Sequence, residues 1–497
     1  MDLISKIVSS TDKYIADMPK KSRKKIGQFF TSKESALFMA SLFDLDVFEE
    51  EISFLDPGAG TGILTAALVQ KIVEIGRIKK VNITCYENNK DIIDILKTNL
   101  QFMQENCDIT IEYKINEHNY ITSQSSEYNN ALFIEEKTNK YDIVICNPPY
   151  MKIGKNAAEA LSMADICYGT PNMYFLFLAM AVFNLHDNGE LVFIIPRSWT
   201  SGAYFKRFRE KFLSQATLKN IHLFESREKV FSKESVLQET IIIKAQKTKN
   251  KHEKIIITTT NNNFDFDHKT IIEVPYDVIV SSKNNYIYLL TNQAEINLVQ
   301  KIHKWENTLL TIGMRMKTGL TVDFRNKELL RDSLEDDTVP LFHSQHIKNG
   351  KIEFPIGKKN EFIVNKNKGL LQDNVNYLFV KRFTSKEEER RLQCAIYLSN
   401  EYSSYKKIST HNKVNFITGK NPLSKECVFG LYVLFNSTVY DVYYRILNGS
   451  TQVNSTEINS IPVPTVTEIE LIGRILIDSG DLSVKNCDNI LRRYSDV

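Results

Sequence analysis

The tetrapeptide Asn147-Pro148-Pro149-Tyr150 closes a short apolar run, residues 141–146, and its residue types suit one kind of chemistry. An exocyclic amine on a heteroaromatic ring is a poor nucleophile, because its lone pair is delocalised. Two acceptors that take its two hydrogens draw the nitrogen toward a tetrahedral form. The side-chain oxygen of Asn147 offers one acceptor and the backbone carbonyl of Pro148 the other. The paired prolines hold both directions fixed, so little reorganisation is needed at the reacting moment. Tyr150 offers a ring on which a flat substrate stacks. No general base with a tuned pKa is required before transfer. Taken only as a turn, the segment would stiffen the passage from strand to loop.

A second cluster lies upstream in FLDPGAGTG, where Asp56 precedes Gly58, Gly60 and Gly62. Glycines let the backbone turn sharply and approach a ligand closely. The spacing is G-x-G-x-G rather than the dinucleotide pattern G-x-G-x-x-G. An acid ahead of the loop repels pyrophosphate but suits a cationic ligand with an amino group, such as S-adenosylmethionine. Glu87 ends the next apolar run, where a carboxylate can accept two ribose hydroxyls.

These residues need elements to hold them. Residues 32–43 carry apolar positions at helical spacing, with Ser32 as N-cap. The pattern predicts strands at 52–57, 81–87, 109–115, 141–146, 189–196, 220–224 and 238–245. It predicts helices at 63–76, 89–100, 173–186 and 201–214. Strands alternating with helices imply an α/β fold, a parallel sheet covered on both faces, with ligands beyond the carboxyl ends of the strands. Near residue 245 the texture turns polar (KTKNKHEK, TTTNNNFDFDHKT) and the βα rhythm stops. The expected division is 1–245 and 246–497, the second part a mixed α/β domain.

Composition sets broad bounds. The chain has 497 residues, 42% hydrophobic and 25% charged, with a formal net charge of +3, so bulk charge does not demand nucleic acid. The basic run KKSRKK (20–25) reads as a solvated tail on charge alone. None of the seven cysteines forms a C-x-x-C pair or a zinc-like spacing with histidine, so reduced thiols and no metal site are expected. The N-terminus lacks a long apolar run, and a cytoplasmic protein that does not enter membranes is expected.

Taken together, residues 1–245 resemble the amino-group DNA methyltransferases that modify adenine N6. KIGQFFTSKESALFMASLF (25–43) is similar to their N-terminal cofactor segment, DPGAGTG to their glycine loop and NPPY to their catalytic loop. RSWTSGAYFKRFREKFL (197–213) and FESREKVFSKESVLQETIII (224–243) are similar to their later motifs. The stretch between Gly62 and Asn147 is too short for a DNA-reading domain, which must therefore follow the catalytic one, the gamma order. Residues 377–397 and 431–464 resemble the target-recognition domain of BsuBI/PstI-like modification methylases of type II restriction–modification systems. The resemblance implies a Rossmann-like S-adenosylmethionine-dependent methyltransferase domain followed by a mixed α/β target-recognition domain. It implies catalysis by Asn147, Pro148, Pro149, Tyr150 and Phe231, the last packing against a flipped base. It implies cofactor binding by Gln28, Thr31, Asp56, Gly58, Gly60, Gly62, Glu87, Asn119 and Asn147. Asn119 stands where an acid usually bonds the cofactor's adenine amino group. The implied partners are double-stranded DNA, with CTGCAG as the suggested site, and a separate cognate restriction endonuclease. The implied setting is the bacterial cytoplasm, associated with the nucleoid through DNA.

For DNA contact, Lys381 and Arg382 sit beside Phe383 in a strand-like run. Asn448, Thr451, Gln452 and Asn454 supply uncharged donors and acceptors in a glycine-containing loop, and such amides bond adenine edges bidentately. His411 and Asn412 are weaker candidates. Arg390 and Arg391 follow Glu387–Glu389 and read as a helical face with internal ion pairs. Competing readings are a protein glutamine methyltransferase, which uses N-P-P-Y on the same grounds, a cytosine-N4 methylase, and a DNA-binding module with a dead pocket. A nuclease–methylase fusion is disfavoured by the few residues ahead of KKIGQFF.

Overall fold

The computed structural model describes residues 2–17, 31–130, 140–225, 239–385 and 388–494. The chain divides into two compact units, Met1–Thr291 and Asn292–Val497. The division falls beyond the expected boundary at 245, for a reason visible in the sheet.

The first unit is built on a nine-stranded sheet. Its strands are β1 (Glu51–Pro57), β2 (Lys80–Tyr86), β3 (Thr110–Asn116), β4 (Tyr141–Cys146) and β5 (Leu185–Pro196), followed by β6 (Thr217–Phe224), β7 (Thr240–Gln246), β8 (Lys254–Thr260) and β9 (Thr270–Pro275). The spatial order is β3-β2-β1-β4-β5-β7-β6-β8-β9. From β3 to β5 all neighbours are parallel, and β7 enters antiparallel between β5 and β6. Strand β8 pairs in parallel with β6 and antiparallel with β9. The polar stretch KTKNKHEK thus carries the chain past β6, from β7 to β8, and TTTNNNFDFDHKT spans the hairpin from β8 to β9, and this is why the first unit runs on to Thr291.

Alternation along the strands accounts for burial on both faces. Phe54, Ile143, Ile145, Val192 and Ile194 join one cluster with residues of helices α1 (Leu3–Asp17), α2 (Lys33–Ser41), α3 (Ile63–Ile75) and α4 (Lys90–Asn106). The alternate residues Leu55, Val144, Leu191 and Phe193 point the other way and are also fully buried. Helix α2 starts where the sequence places it, since the Ser32 hydroxyl accepts the Ser35 N–H at 3.2 Å. Helix α5 (Met173–Asn184) is buried along nearly its whole length, which explains its unbroken apolar sequence.

The second unit holds a six-stranded and a five-stranded sheet, neither with βα alternation. In the six-stranded sheet Met314–Thr318 forms an edge, followed by Val414–Gly419, Tyr377–Lys381 and Cys394–Tyr397. Helices Lys425–Asn436, Thr438–Leu447, Val466–Ser479 and Val484–Tyr494 complete the unit. Residues 388–391, expected on a helical face, lie in irregular chain between two strands.

Candidate active site

Strands β1, β2 and β3 step outward in one direction, and the chain then returns to place β4 on the other side of β1. Ligands in such sheets bind at this reversal, beyond the strand carboxyl ends. The tip of β1 carries Asp56 and the glycine loop; the tip of β4 carries Asn147. The two tips are tied together by the Cys146 thiol, which donates to the Pro57 carbonyl at 3.0 Å. Lower down, the Ser53 hydroxyl donates to the Asp142 carboxylate at 2.7 Å.

The glycine loop is held in shape by backbone bonds. The N–H groups of Gly58 and Ala59 both donate to the Tyr86 carbonyl, at 2.7 and 3.0 Å. Gly58 and Gly62 have φ of +76° and +88°, a region side chains rarely adopt. A Cβ on Gly62 would also stand 3.1 Å from Leu96. Behind the loop, the Thr11 and Thr61 hydroxyls meet at 2.6 Å and Asn99 donates to the Thr61 carbonyl at 2.7 Å.

Two acids converge there. Asp56 is fully buried and accepts from the Thr65 hydroxyl at 2.7 Å, while its Oδ1 has no hydrogen-bond partner among the described residues. Burial pushes its carboxyl up to about 7, against the Thr65 bond and with help from the charge of Glu87. Glu87 accepts the Gly60 N–H at 2.9 Å and the Asn89 N–H at 2.8 Å, and burial raises its pKa as well. The Asn88 N–H bonds the carboxylate as well, and its two oxygens retain acceptor capacity beyond these donors. A cationic, hydroxyl-rich ligand answers both features: its charge offsets the cost of two buried acids, and its hydroxyls meet the remaining lone pairs. The residues present therefore fit S-adenosylmethionine. Thr65 was not singled out from the sequence, although a hydroxyl one turn into the helix after a strand-tip acid is a readable signal.

At the second tip, Asn147 donates through Nδ2 to the Thr31 hydroxyl at 3.0 Å, so Thr31 and Asn147 are brought together across the chain. This bond turns the amide nitrogen toward Thr31 and leaves Oδ1, a buried atom, on the other side of the amide. Pro148 is buried. The Tyr150 hydroxyl donates to the Ile194 carbonyl at 2.8 Å, and burial pushes the phenol far above its ordinary range, so it stays neutral. Its ring meets Tyr174 edge-on at 6.5 Å, and the Tyr174 hydroxyl lies 3.0 Å from that of Ser198. The chain after Tyr150 is pinned by Met173 N–H to the Met151 carbonyl and Ile153 N–H to the Pro171 carbonyl, both at 2.9 Å.

Asn119 is placed differently from the expectation. Its oxygen accepts the N–H groups of Ile121 and Thr122 at 3.0 and 3.1 Å, and its nitrogen donates to Glu159 at 2.9 Å. It caps a turn, and its acceptor is already engaged. Gln28, Phe231 and the basic run 20–25 lie outside the described residues.

In the second unit the loop 448–454 is docked on residues 382–384. Thr384 N–H donates to the Thr451 carbonyl at 3.2 Å and Val453 N–H to the Arg382 carbonyl at 2.7 Å. Asn448 is fully buried. Its oxygen accepts from Arg391 at 3.3 Å and its nitrogen bonds Glu457 and the Gln452 carbonyl. Arg391 is itself fully buried and donates to the Ser450 carbonyl at 2.7 Å, which corrects its reading as a surface ion-pairing residue. Gln452 accepts from Arg382 at 3.2 Å, Lys381 donates to Gln393 at 2.8 Å, and Asn454 bonds Ser450 and Glu457. Thr451 is exposed. Asn448 thus holds the loop from inside.

A cluster of Asp323, His343 and His411 has metal-ligand geometry, with ligand atoms within 4.8 Å of one another. His343 Nε2 is committed to the Asn360 carbonyl at 2.8 Å and His411 Nδ1 accepts the Lys413 N–H at 3.2 Å. These bonds describe a packed structural pair.

Residues 67–231 match the model of the Eco57I restriction-modification methylase family. Over 487 residues the chain is 36% identical to the type II methyltransferase M.PstI of Providencia stuartii, covering 95% of this chain and 93% of the relative. It is 33% identical over 476 residues to the type II methyltransferase M.BsuBI of Bacillus subtilis, covering 95% and 92%. Among solved structures, the type IIL restriction-modification enzyme MmeI in complex with DNA aligns with a TM-score of 0.51 at 12% identity, over 99% of this chain and 73% of that one, a likeness of fold.

Proposed function

The chain belongs to the type II methyltransferases, S-adenosylmethionine-dependent enzymes that modify DNA, and from that premise we propose that it methylates the N6 amine of adenine within a specific duplex site. The observation that carries this reading is the convergence of Asn147, Thr31, Asp56 and Glu87 at the reversal point of the sheet. Two buried acids at the β1 and β2 tips orient a cationic nucleoside. When bound, that cofactor supplies an electrophilic methyl group on a sulfonium centre. The Asn147 oxygen and the Pro148 carbonyl accept the two hydrogens of the target amine and aim its lone pair. The Thr31 bond holds the amide so that oxygen, not nitrogen, faces the amine. Tyr150, anchored by its hydroxyl, supplies the stacking face for a base that leaves the duplex, since the amine cannot be reached inside the stack.

In this reading Met1–Thr291 is the catalytic domain and Asn292–Val497 the target-recognition domain, and methylation protects DNA from a separate cognate endonuclease. The setting proposed is the bacterial cytoplasm. Among the described residues no helix is long and apolar enough to cross a membrane.

Base-resolved sequencing of DNA from cells that express the chain is the direct test. N6-methyladenine at one short motif, CTGCAG as the first expectation, is the predicted result. N4-methylcytosine would transfer the same chemistry to the other base, and unmodified DNA with a methylated protein would overturn the reading. Asn147→Ala is expected to abolish methyl incorporation while cofactor affinity, measured by equilibrium titration, stays near that of the unaltered enzyme.

A further inference from the structure

The second unit contains a groove of about 860 Å³ along the edge strand Met314–Thr318. Arg315 and Lys317 lie on one face of that strand, opposite Thr418 and Phe416 of the neighbouring strand, and both basic side chains are exposed. Among the described residues neither forms an ion pair. The single acid lining the groove, Asp373, is neutralised by Lys407 at 2.6 Å. The opposite edge of the strand is closed by Asn459, which accepts from Met316 N–H at 2.7 Å and donates to the Met316 carbonyl at 3.1 Å. This amide stands in for a further strand and fixes the direction of the two cations. Ser455, Thr456, Thr410 and Thr418 share the rest of the lining with apolar side chains, among them Leu310, Leu320, Leu370, Leu371 and Phe416.

Unpaired cations beside hydroxyls, with no unneutralised acid, form a surface made for phosphate oxygens. Resting on the proposed action on duplex DNA, the geometry points to this groove as the seat of one sugar–phosphate strand of the target, with Arg315 and Lys317 as phosphate contacts. The role is positional: the groove sets where the duplex lies on the second unit and does not choose the sequence. The 448–454 loop, whose amides are largely spent internally, is not needed for this contact.

The experiment uses the full chain with its cofactor and a cognate duplex. Binding is measured against salt concentration for the unaltered enzyme, for Arg315→Gln/Lys317→Gln, and for Lys249→Gln/Lys283→Gln, which removes the same charge from exposed positions of the first unit. Two lost phosphate contacts should make the slope of log K against log salt shallower by about 1.8, with the control pair near the unaltered slope. The methylated motif and the rate at saturating DNA should be unchanged, and Arg315→Lys/Lys317→Arg should restore the slope. Should the groove variant unfold, a photo-crosslinking residue at the exposed Leu320 on the groove lip keeps the question open to measurement. Crosslinks to the DNA backbone support the assignment and their absence refutes it. An unaltered slope in the groove variant, or a relaxed motif, overturns the inference alone. Failure of the unaltered enzyme to bind any duplex overturns the reading on which it rests.

Discussion

Asp56 shows how far a single residue can be taken. Its folded carboxyl titrates at about 7 against an ordinary value of 3.8, with burial as the main cause. Between these values the folded chain holds a proton that the unfolded chain has lost. The contribution of this group to stability is therefore fully present below about 4 and declines as pH rises to about 7. A cationic cofactor favours the ionised form, so its affinity should rise as pH climbs through 7, with a proton released on binding. Asp56→Asn should flatten that dependence, and calorimetric titration in buffers of different ionisation enthalpy would detect the missing proton. A slope retained in the variant would place the titrating group elsewhere. Arg391 is the counterpart in the second unit. Arg391→Ala removes the donor of the partly buried Ser450 carbonyl, while the Asn448 oxygen keeps the Ser450 N–H at 2.8 Å, so the lost hydrogen bonding should cost about 1–3 kcal/mol in all. Arg391→Lys should rescue little, since one ammonium cannot reproduce the planar fork. Chemical denaturation reads the loss. The sequence disclosed where Asn147, Asp56 and Glu87 lie, because a strand tip and a turn identify where a side chain must go. It did not disclose Arg391 or Asn448, because an arginine among glutamates looks the same whether it faces water or fills a core, and an amide does not announce its partner.

At the scale of elements, the βα alternation of residues 51–224 was readable because apolar periodicity decides it, and β4 and helix α3 begin where the pattern puts them. Strand β5 begins at Leu185, directly after helix α5, where a polar HDNG segment masks the continuation. The helices of the second unit carried a signal that went unread. Gly430 lies inside helix Lys425–Asn436 and Gly473 inside helix Val466–Ser479. A Cβ on Gly430 would fall 1.8 Å from the Ile469 carbonyl oxygen, and one on Gly473 1.8 Å from that of Glu426. The two helices meet backbone to backbone, and glycine, costly in a helix interior, is what permits it. Gly430→Ala must push the axes apart and is expected to destabilise the unit by about 3 kcal/mol or more. A denaturation midpoint unchanged by that substitution would mean that the helices separate without penalty.

The whole molecule poses the question of where its first unit ends. Polar composition after residue 245 suggested a boundary, yet the chain returns twice to the same sheet, through β8 and β9. Ile255 and Ile257 of β8 are fully buried, and β8 covers the edge of β6 along Asn220–Phe224. A fragment ending at 245 would leave that edge open, with its N–H and C=O groups unpaired and an apolar face uncovered, a template for association. A fragment ending at Thr291 keeps β6 paired and retains the strand tips that hold Asp56, Glu87 and Asn147. The longer fragment should therefore be monomeric and bind the cofactor with nearly the affinity of the full chain, while losing affinity for specific duplex. The shorter one should aggregate, or bind the cofactor only when diluted below its association range. Light scattering and cofactor titration on the two fragments decide between the boundaries. A soluble 1–245 fragment with full cofactor affinity would make β8 and β9 an accessory to the fold, and the polar stretch after residue 245 would then be the domain limit after all.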